Sequence, residues 1–305
     1  MKRNLPIENE VFLDHVGHFV TDANAARAAL KRAGFTATPF SIQVAPTGVD
    51  GALERTGTGN TCAMLSNGYI EVLAWTADTA IGREFERAVD RHAGLHLAAF
   101  AVVDAARWHA CLVDSGFAVR PIVNMSRPIG TVDGEAEARF TVVRAEADAM
   151  PEGRVQLLTH HTEAALWQPR WLEHANGAHT LAALVVASVE PHAAAARFMQ
   201  FLGGDIVAGD DHTRLVLDRG EVVFGDAVFL AGATGETAVD IDLPWMAACA
   251  IRVADIARTQ RFFEGAGLRY ACIGMALQVP FPDALGCGCW LFCEADDDLP
   301  WRRDR

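Results

Sequence analysis

The chain has 305 residues, 51% hydrophobic and 21% charged, which is enough apolar material for packed cores and too little charge for a disordered polymer. With 26 Lys and Arg against 39 Asp and Glu, the net charge of −13 argues against a surface that tracks nucleic-acid phosphates. No run approaches the roughly 20 apolar residues a membrane helix needs, and the length suggests about two domains.

In chain order, the basic start MKRN leads to no apolar segment of signal-peptide type, so a cytoplasmic protein is expected. The first predicted strand alternates Leu13, His15, Gly17 and Phe19 on one face. Asp22 then stands at an N-cap position, Ala25, Ala26, Ala29 and Leu30 form the apolar stripe of a helix, and Gly34 ends it. Further strands are predicted at 38–43, 60–65 and 69–75, which completes a βαβββ module over about 10–76. Ala77–Arg91 reads as a helical linker. A second copy follows over about 94–160, and Asp104–Gly116 aligns with Asp22–Gly34 without a gap. Its later strands are expected at 119–123, 139–144 and 155–160, with a Gly-rich, acidic surface loop at 129–137. Third and fourth copies open at Thr180 and Met246 and occupy about 179–231 and 245–295, before a polar tail at Asp296–Arg305. The period of roughly 80 residues is too long for a solenoid. The implied fold class is α+β, with four βαβββ modules paired into two open eight-stranded barrels. One barrel takes residues 1–160 and the other 179–305, joined by 161–178.

Seven cysteines, an odd number scattered over buried-looking strands, fit reduced core thiols. Cys287, Cys289 and Cys293 have no second pair to complete a structural zinc set. The GTGN segment at 57–60 lacks the lysine of a phosphate-binding loop.

Four segments carry a family likeness: LDHVGHFV from Leu13, GTGN ending at Asn60, GYIEVLAW from Gly68, and HANGA from His174. With the repeated module they resemble the vicinal oxygen chelate superfamily, the group of glyoxalases, bleomycin-resistance proteins and extradiol dioxygenases, and in particular its glyoxalase-like-domain members. The resemblance implies one divalent ion (Zn, Mn, Fe or Ni) held by inward residues of the first and fourth strands. Carried over, it names His15 and Glu71 in module one, and His96 in module two if a one-residue bulge brings it inward, because the gapless alignment sets Leu97 opposite His15. Gln156 falls at the position of Glu71. Glu71, His96 and His160 are the expected proton carriers. Asn60, Arg127, Gln156, His174 and Asn176 are the expected substrate contacts. His18, on the other face, is expected to pack under the helix or between modules. In the second half Glu221 and Asp226 are the nearest acids to matching positions and the fourth module's first strand has no histidine, so that half is expected to be a lid, scaffold or dimer surface, compatible with a homodimer. The implied activity is a metal-dependent isomerase, lyase or dioxygenase reaction on a small oxygenated molecule. The alternative is a metal-free protein that sequesters a small hydrophobic compound.

Overall fold

The computed structural model describes residues 3–46, 53–235 and 241–302. Met1, Lys2 and the last three residues of the polar tail lie outside them. The first module is β1 (Phe12–Val20), α1 (Ala23–Arg32), β2 (Ser41–Pro46), β3 (Leu53–Met64) and β4 (Tyr69–Trp75). The linker is α2 (Ala80–Arg91). The second module is β5 (Gly94–Ala101), α3 (Ala105–Asp114), β6 (Val123–Thr131), β7 (Gly134–Arg144) and β8 (Arg154–His160), followed by the short α4 (Glu163–Leu166). The third is β9 (Ala178–Ala187), α5 (Pro191–Leu202), β10 (Asp205–Ala208), β11 (His212–Val216) and β12 (Glu221–Gly225), with α6 (Ala227–Thr234) after it. The fourth is β13 (Trp245–Val253), α7 (Ile256–Ala266), β14 (Ala271–Ile273), β15 (Ala276–Pro280) and β16 (Cys289–Cys293).

Local chemistry explains the repeated opening. Asp22 accepts from the backbone N–H groups of Asn24 and Ala25, Asp104 from that of Arg107, and Asp255 from that of Arg258. Each satisfies donors that the first turn of a helix leaves free. In the third module Glu190 makes no such bond, and Pro191, which has no N–H to satisfy, starts the helix instead. Gly34 ends α1 with φ +88, and a Cβ there would meet the Asn176 side chain at 2.8 Å. A larger residue would push the interdomain segment away.

The first eight strands form a closed barrel in the order β1-β4-β3-β2-β6-β7-β8-β5. The other eight repeat the same order, β10-β11-β12-β9-β13-β16-β15-β14, as an open sheet. The β2–β6 seam that closes the barrel, where Val44 meets Ser126, corresponds to β10 and β14, which are only four and three residues long and stand at opposite edges. The α+β fold of four modules paired into two eight-stranded units is thus present, with one unit closed as a barrel and the other left open. The expected loop at 129–137 is instead a hairpin, with β6 and β7 paired out to Thr131 and Gly134. Its acidic residues Glu135 and Glu137 occupy the exposed side of the strand while Ala138 is buried. Asp296–Asp298 and Pro300–Arg302 are 3-10 turns that bury Leu299 and Trp301 against the second sheet, so this part of the tail is structural.

The main core lies between the two halves. Val16, Val20, Ala98 and Phe100 from the barrel wall meet Leu184, Val186, Cys249 and Ile251 of the second sheet, with Ala26, Ala29 and Leu30 of α1 closing over them. Each large apolar side chain so buried contributes about 1.5–3 kcal/mol. The barrel interior has separate linings on either side of Glu71. Phe19, Leu73, Leu97, Val142 and Leu158 pack with Phe85 of α2, and Cys62, Met64 and Tyr69 pack with Leu166 and Trp167 after β8.

Candidate active site

The barrel holds a cavity with the module-one strands on one wall and the module-two strands on the other. Period two sends His15 of β1, Gln43 of β2, Asn60 of β3 and Glu71 of β4 inward together. The Glu71 carboxylate is buried. Its Oε1 accepts from the Asn60 amide and, at 3.3 Å, from Nε2 of Gln43. Thr58 donates to Oε1 of Gln43 at 2.6 Å and so fixes which end of that amide faces Glu71. The second oxygen, Oε2, stands 3.6 Å from Nε2 of His15.

Asp14 completes this wall, and alternation alone would have pointed it outward. The pairing of β1 with β5 slips by one between Leu13 and His15, leaving Asp14 as an extra residue in a bulge. The bulge brings Asp14 and His15 to the same side. Nδ1 of His15 donates to Asp14 at 2.7 Å, and Nε2 of His160 donates to its other oxygen at 2.9 Å. Burial works to raise the Asp14 carboxyl, but attraction to His160 and the bonds from both imidazoles win and hold it well below the usual carboxylate range. Tyr69 stacks on the His15 ring with centroids 4.2 Å apart. Together these contacts fix the orientation of the imidazole and leave Nε2 facing the cavity.

The opposite wall is cationic. Arg127 of β6, Arg144 of β7 and Arg154 of β8 line the cavity beside Gln156. Arg144 donates from Nε to Oε1 of Gln156 at 3.2 Å. Burial, then repulsion from Arg154 and Arg120, pushes the Arg144 guanidinium down to about 9.

Of the residues named from sequence, His15, Asn60, Glu71, Arg127 and Gln156 line one cavity. His160 lies just behind it, in contact with Asp14. His96 is not brought to it. A bulge does occur on β5 at His96, since Gly17 pairs with Leu97 and His18 with Leu95, but it is Leu97 that lines the cavity. Nε2 of His96 donates to the His92 carbonyl at 2.7 Å, and its ring packs 4.0 Å from that of His92. Burial, then repulsion from His92, lowers His96 to about 3. His174 and Asn176 are also elsewhere. His174 accepts from Thr36 N–H and donates to the Met64 carbonyl, while the Asn176 amide donates to the Ala33 carbonyl and its oxygen accepts from Ala178 N–H. Both pin the interdomain segment to the end of α1. Sequence reasoning missed Asp14, Gln43, Arg144 and Arg154. The period-two pattern of β7 and β8 could have found the two arginines, since each shares the parity of Val142 or Gln156.

Two βαβββ modules closing a barrel around a His–Glu wall define a protein of glyoxalase type. A family model described as "Glyoxalase-like domain" matches residues 13–202, more than half of the chain, and the chain belongs to that family, within the vicinal oxygen chelate superfamily. Among curated proteins none matches it. Solved structures share the fold at low identity. A hypothetical protein from Staphylococcus aureus superposes with a TM-score of 0.65 at 11% identity, covering 92% of this chain and 98% of that one. A mutant 4-hydroxymandelate synthase from Streptomyces coelicolor gives 0.53 at 15%, covering 93% and 92%. An Mn(II)-bound glyoxalase from Novosphingobium aromaticivorans gives 0.50 at 13%, covering 97% and 85%. Membership is compatible with a metal-dependent enzyme and leaves the substrate open. No helix among the described residues is long and apolar enough to cross a membrane.

Proposed function

We propose that the barrel binds a small oxygenated organic molecule and moves a proton on it, an isomerase- or lyase-type reaction. The observation that carries this is the Glu71–His15–Asp14 line, with Oε2 of Glu71 and Nε2 of His15 the two atoms turned to the cavity. Glu71 Oε2 takes the proton from a carbon next to a carbonyl, so a C–H bond breaks and an O–H bond forms. The electron pair moves onto the substrate oxygen, where the guanidiniums of the facing wall stabilise the charge. Glu71 then returns that proton to the neighbouring carbon, closing the cycle, while His15, its ring held by Asp14 on one side and Tyr69 on the other, keeps Nε2 turned to the reacting atoms as an acceptor that positions the substrate.

The superfamily implies a divalent ion, and the residues present do not complete a site for one. Catalytic metal sites usually have three protein ligands. Here His15 and Glu71 converge, Leu97 stands where module two would supply the counterpart of His15, and Gln156 is engaged by Arg144. Among the described residues no group of three His, Cys, Asp or Glu side chains is placed to hold a metal. The three arginines make the cavity still less hospitable to a second cation. A second reading, a sequestering protein of the bleomycin-resistance type, draws on Leu97 and the neutral Gln156.

The test is hydrogen exchange from carbon in D2O, followed by NMR over a panel of small ketones, 2-oxo acids and hydroxyketones. Exchange by the native chain, reduced at least a hundredfold in Glu71→Gln at unchanged fold, sustains the proposal. Compounds that bind and are recovered unexchanged favour sequestration. A stoichiometric divalent ion that is lost in His15→Ala restores the chelate reading.

A further inference from the structure

Three guanidiniums line one wall of the barrel in a chain whose overall charge is strongly negative. Among the described residues their partners neutralise them only in part. Among the described residues Arg144 reaches the Gln156 amide oxygen and, at 3.8 Å, the sulfur of Met125. Arg154 lies over the Phe19 ring and makes one long ion pair, at 4.0 Å, with Glu84, which already takes two bonds from Arg120. Arg127 has no hydrogen bond or ion pair among the described residues. Glu71 lies across the cavity, bonded to Asn60 and Gln43; its charge is felt by Arg144 and Arg154, but among the described residues it makes no close ion pair with either. Burying a cation without an anion is expensive, and guanidiniums this close also repel one another. A planar guanidinium presents paired N–H donors that match the two oxygens of a carboxylate or phosphoryl group.

Arg144 and Arg154 also border a second cavity, behind the barrel, lined by Arg87, Arg91 and Arg120. The Arg91 guanidinium there donates to the backbone carbonyls of Asp242 and Pro244, and so keeps its charge unneutralised. Arg120 there is paired with Glu84 and Glu146, so the excess of positive charge rests on Arg87, Arg91, Arg144 and Arg154.

Resting on the reading of the barrel as a ligand site, we infer that its ligand is an organic oxyanion, an acid whose anionic group is clasped by Arg144 and Arg154 while its reacting carbon faces Glu71 and His15. Arg127 lines the same wall and adds to the charge that draws the acid in. Gln156 orients Arg144 and is not itself a catalytic residue.

Calorimetric titration of the full chain with matched pairs, succinate and succinamide, phenylacetate and phenylacetamide, together with inorganic phosphate, tests this. At least one acid should bind tenfold or more tightly than its amide. Arg144→Gln should abolish that preference and Arg144→Lys retain part of it; because binding is read without turnover, a failure of the proton-transfer reading and a failure of this one separate. Phosphate bound in preference to every carboxylate sustains the oxyanion site and assigns it to a phosphoryl compound. Arg154→Gln is the second variant should Arg144→Gln not fold. Acids that bind no more tightly than their amides, or a preference that survives in both glutamine variants, overturn the inference.

Discussion

The two halves repeat one topology and fill it in opposite ways. In the barrel the inward positions carry His15 and Glu71 on one wall and Gln156 on the other. In the second sheet the equivalent positions, counted from each helix cap and along each ladder, are Ala183 and Val223 in the third module and Ala248 and Leu291 in the fourth. All four are buried in one apolar cluster with Phe229, Leu230 and Ala233 of α6 and with Leu299 and Trp301 of the tail. The acid that sequence pointed to there, Glu221, pairs with Arg214 and Arg302 and accepts from Nε1 of Trp301. Asp226 caps α6, accepting from Val228 and Phe229. A module can therefore keep its backbone while its interior changes from polar cavity to plugged core. What makes a site is the polarity of a handful of inward positions and whether anything is left to fill the space.

The largest effect expected from breaking this contrast is on turnover. Glu71→Gln or His15→Gln should lower the rate of any proton-transfer reaction found for the chain by about 10²–10⁴-fold, the usual weight of a positioned acid or base. Glu221→Gln should leave the rate of the folded protein unchanged, and steady-state kinetics on the two variants side by side decides it. The next effect is on stability. Trp301→Ala removes the plug and should cost about 3–5 kcal/mol in chemical denaturation, with ligand binding in the barrel retained wherever the protein remains folded.

Acid should act at the join between the halves. Nδ1 of His18 donates to the Leu285 carbonyl, and its ring packs on Phe281 and Trp290; burial lowers it to about 4. His92 packs on Trp245 beside His96, and burial, then repulsion from Arg91, lowers it to about 4 as well. Because these folded-state values lie below the ordinary imidazole range, the unfolded chain takes up protons first. Stability is then complete above about pH 6.5 and falls as pH drops toward 4, by up to about 1.4 kcal/mol per pH unit for each fully buried histidine. Denaturation midpoints measured between pH 7 and 4 should show this slope, and His18→Leu should flatten it. The smallest difference concerns the caps. Asp22→Ala should cost about 1 kcal/mol, whereas Glu190→Ala, at a helix start with no side-chain cap, should change the thermal midpoint far less.

Much of this was legible in the sequence because it depends on local chemistry. Asp caps, apolar stripes and terminal glycines recur at fixed offsets, and these mark four modules and place His15 and Glu71 on inward faces by parity alone. The same gapless alignment set Leu97 at the position matching His15, and Leu97 is the residue that lines the cavity. Other features depended on contacts between distant segments. The bulge at Asp14 shifts the alternation of β1, so that Leu13, expected on the face of His15, joins Val16 in the core between the halves, and it links His15 through Asp14 to His160, 146 residues from Asp14. Whether the bulge at His96 turned that imidazole into the barrel or away from it was settled by the packing of His92 and Phe19 around the ring. Closure of one sheet and plugging of the other rest on a single seam between β2 and β6 and on a tail that reads as polar but carries Leu299 and Trp301. Periodicity is a property of neighbouring residues, so sequence by itself determined the modules and which faces turn inward. Register, bulges and the partners of buried charges arise only when remote strands meet, so the tertiary structure alone decided that one interior became a charged cavity and the other a core.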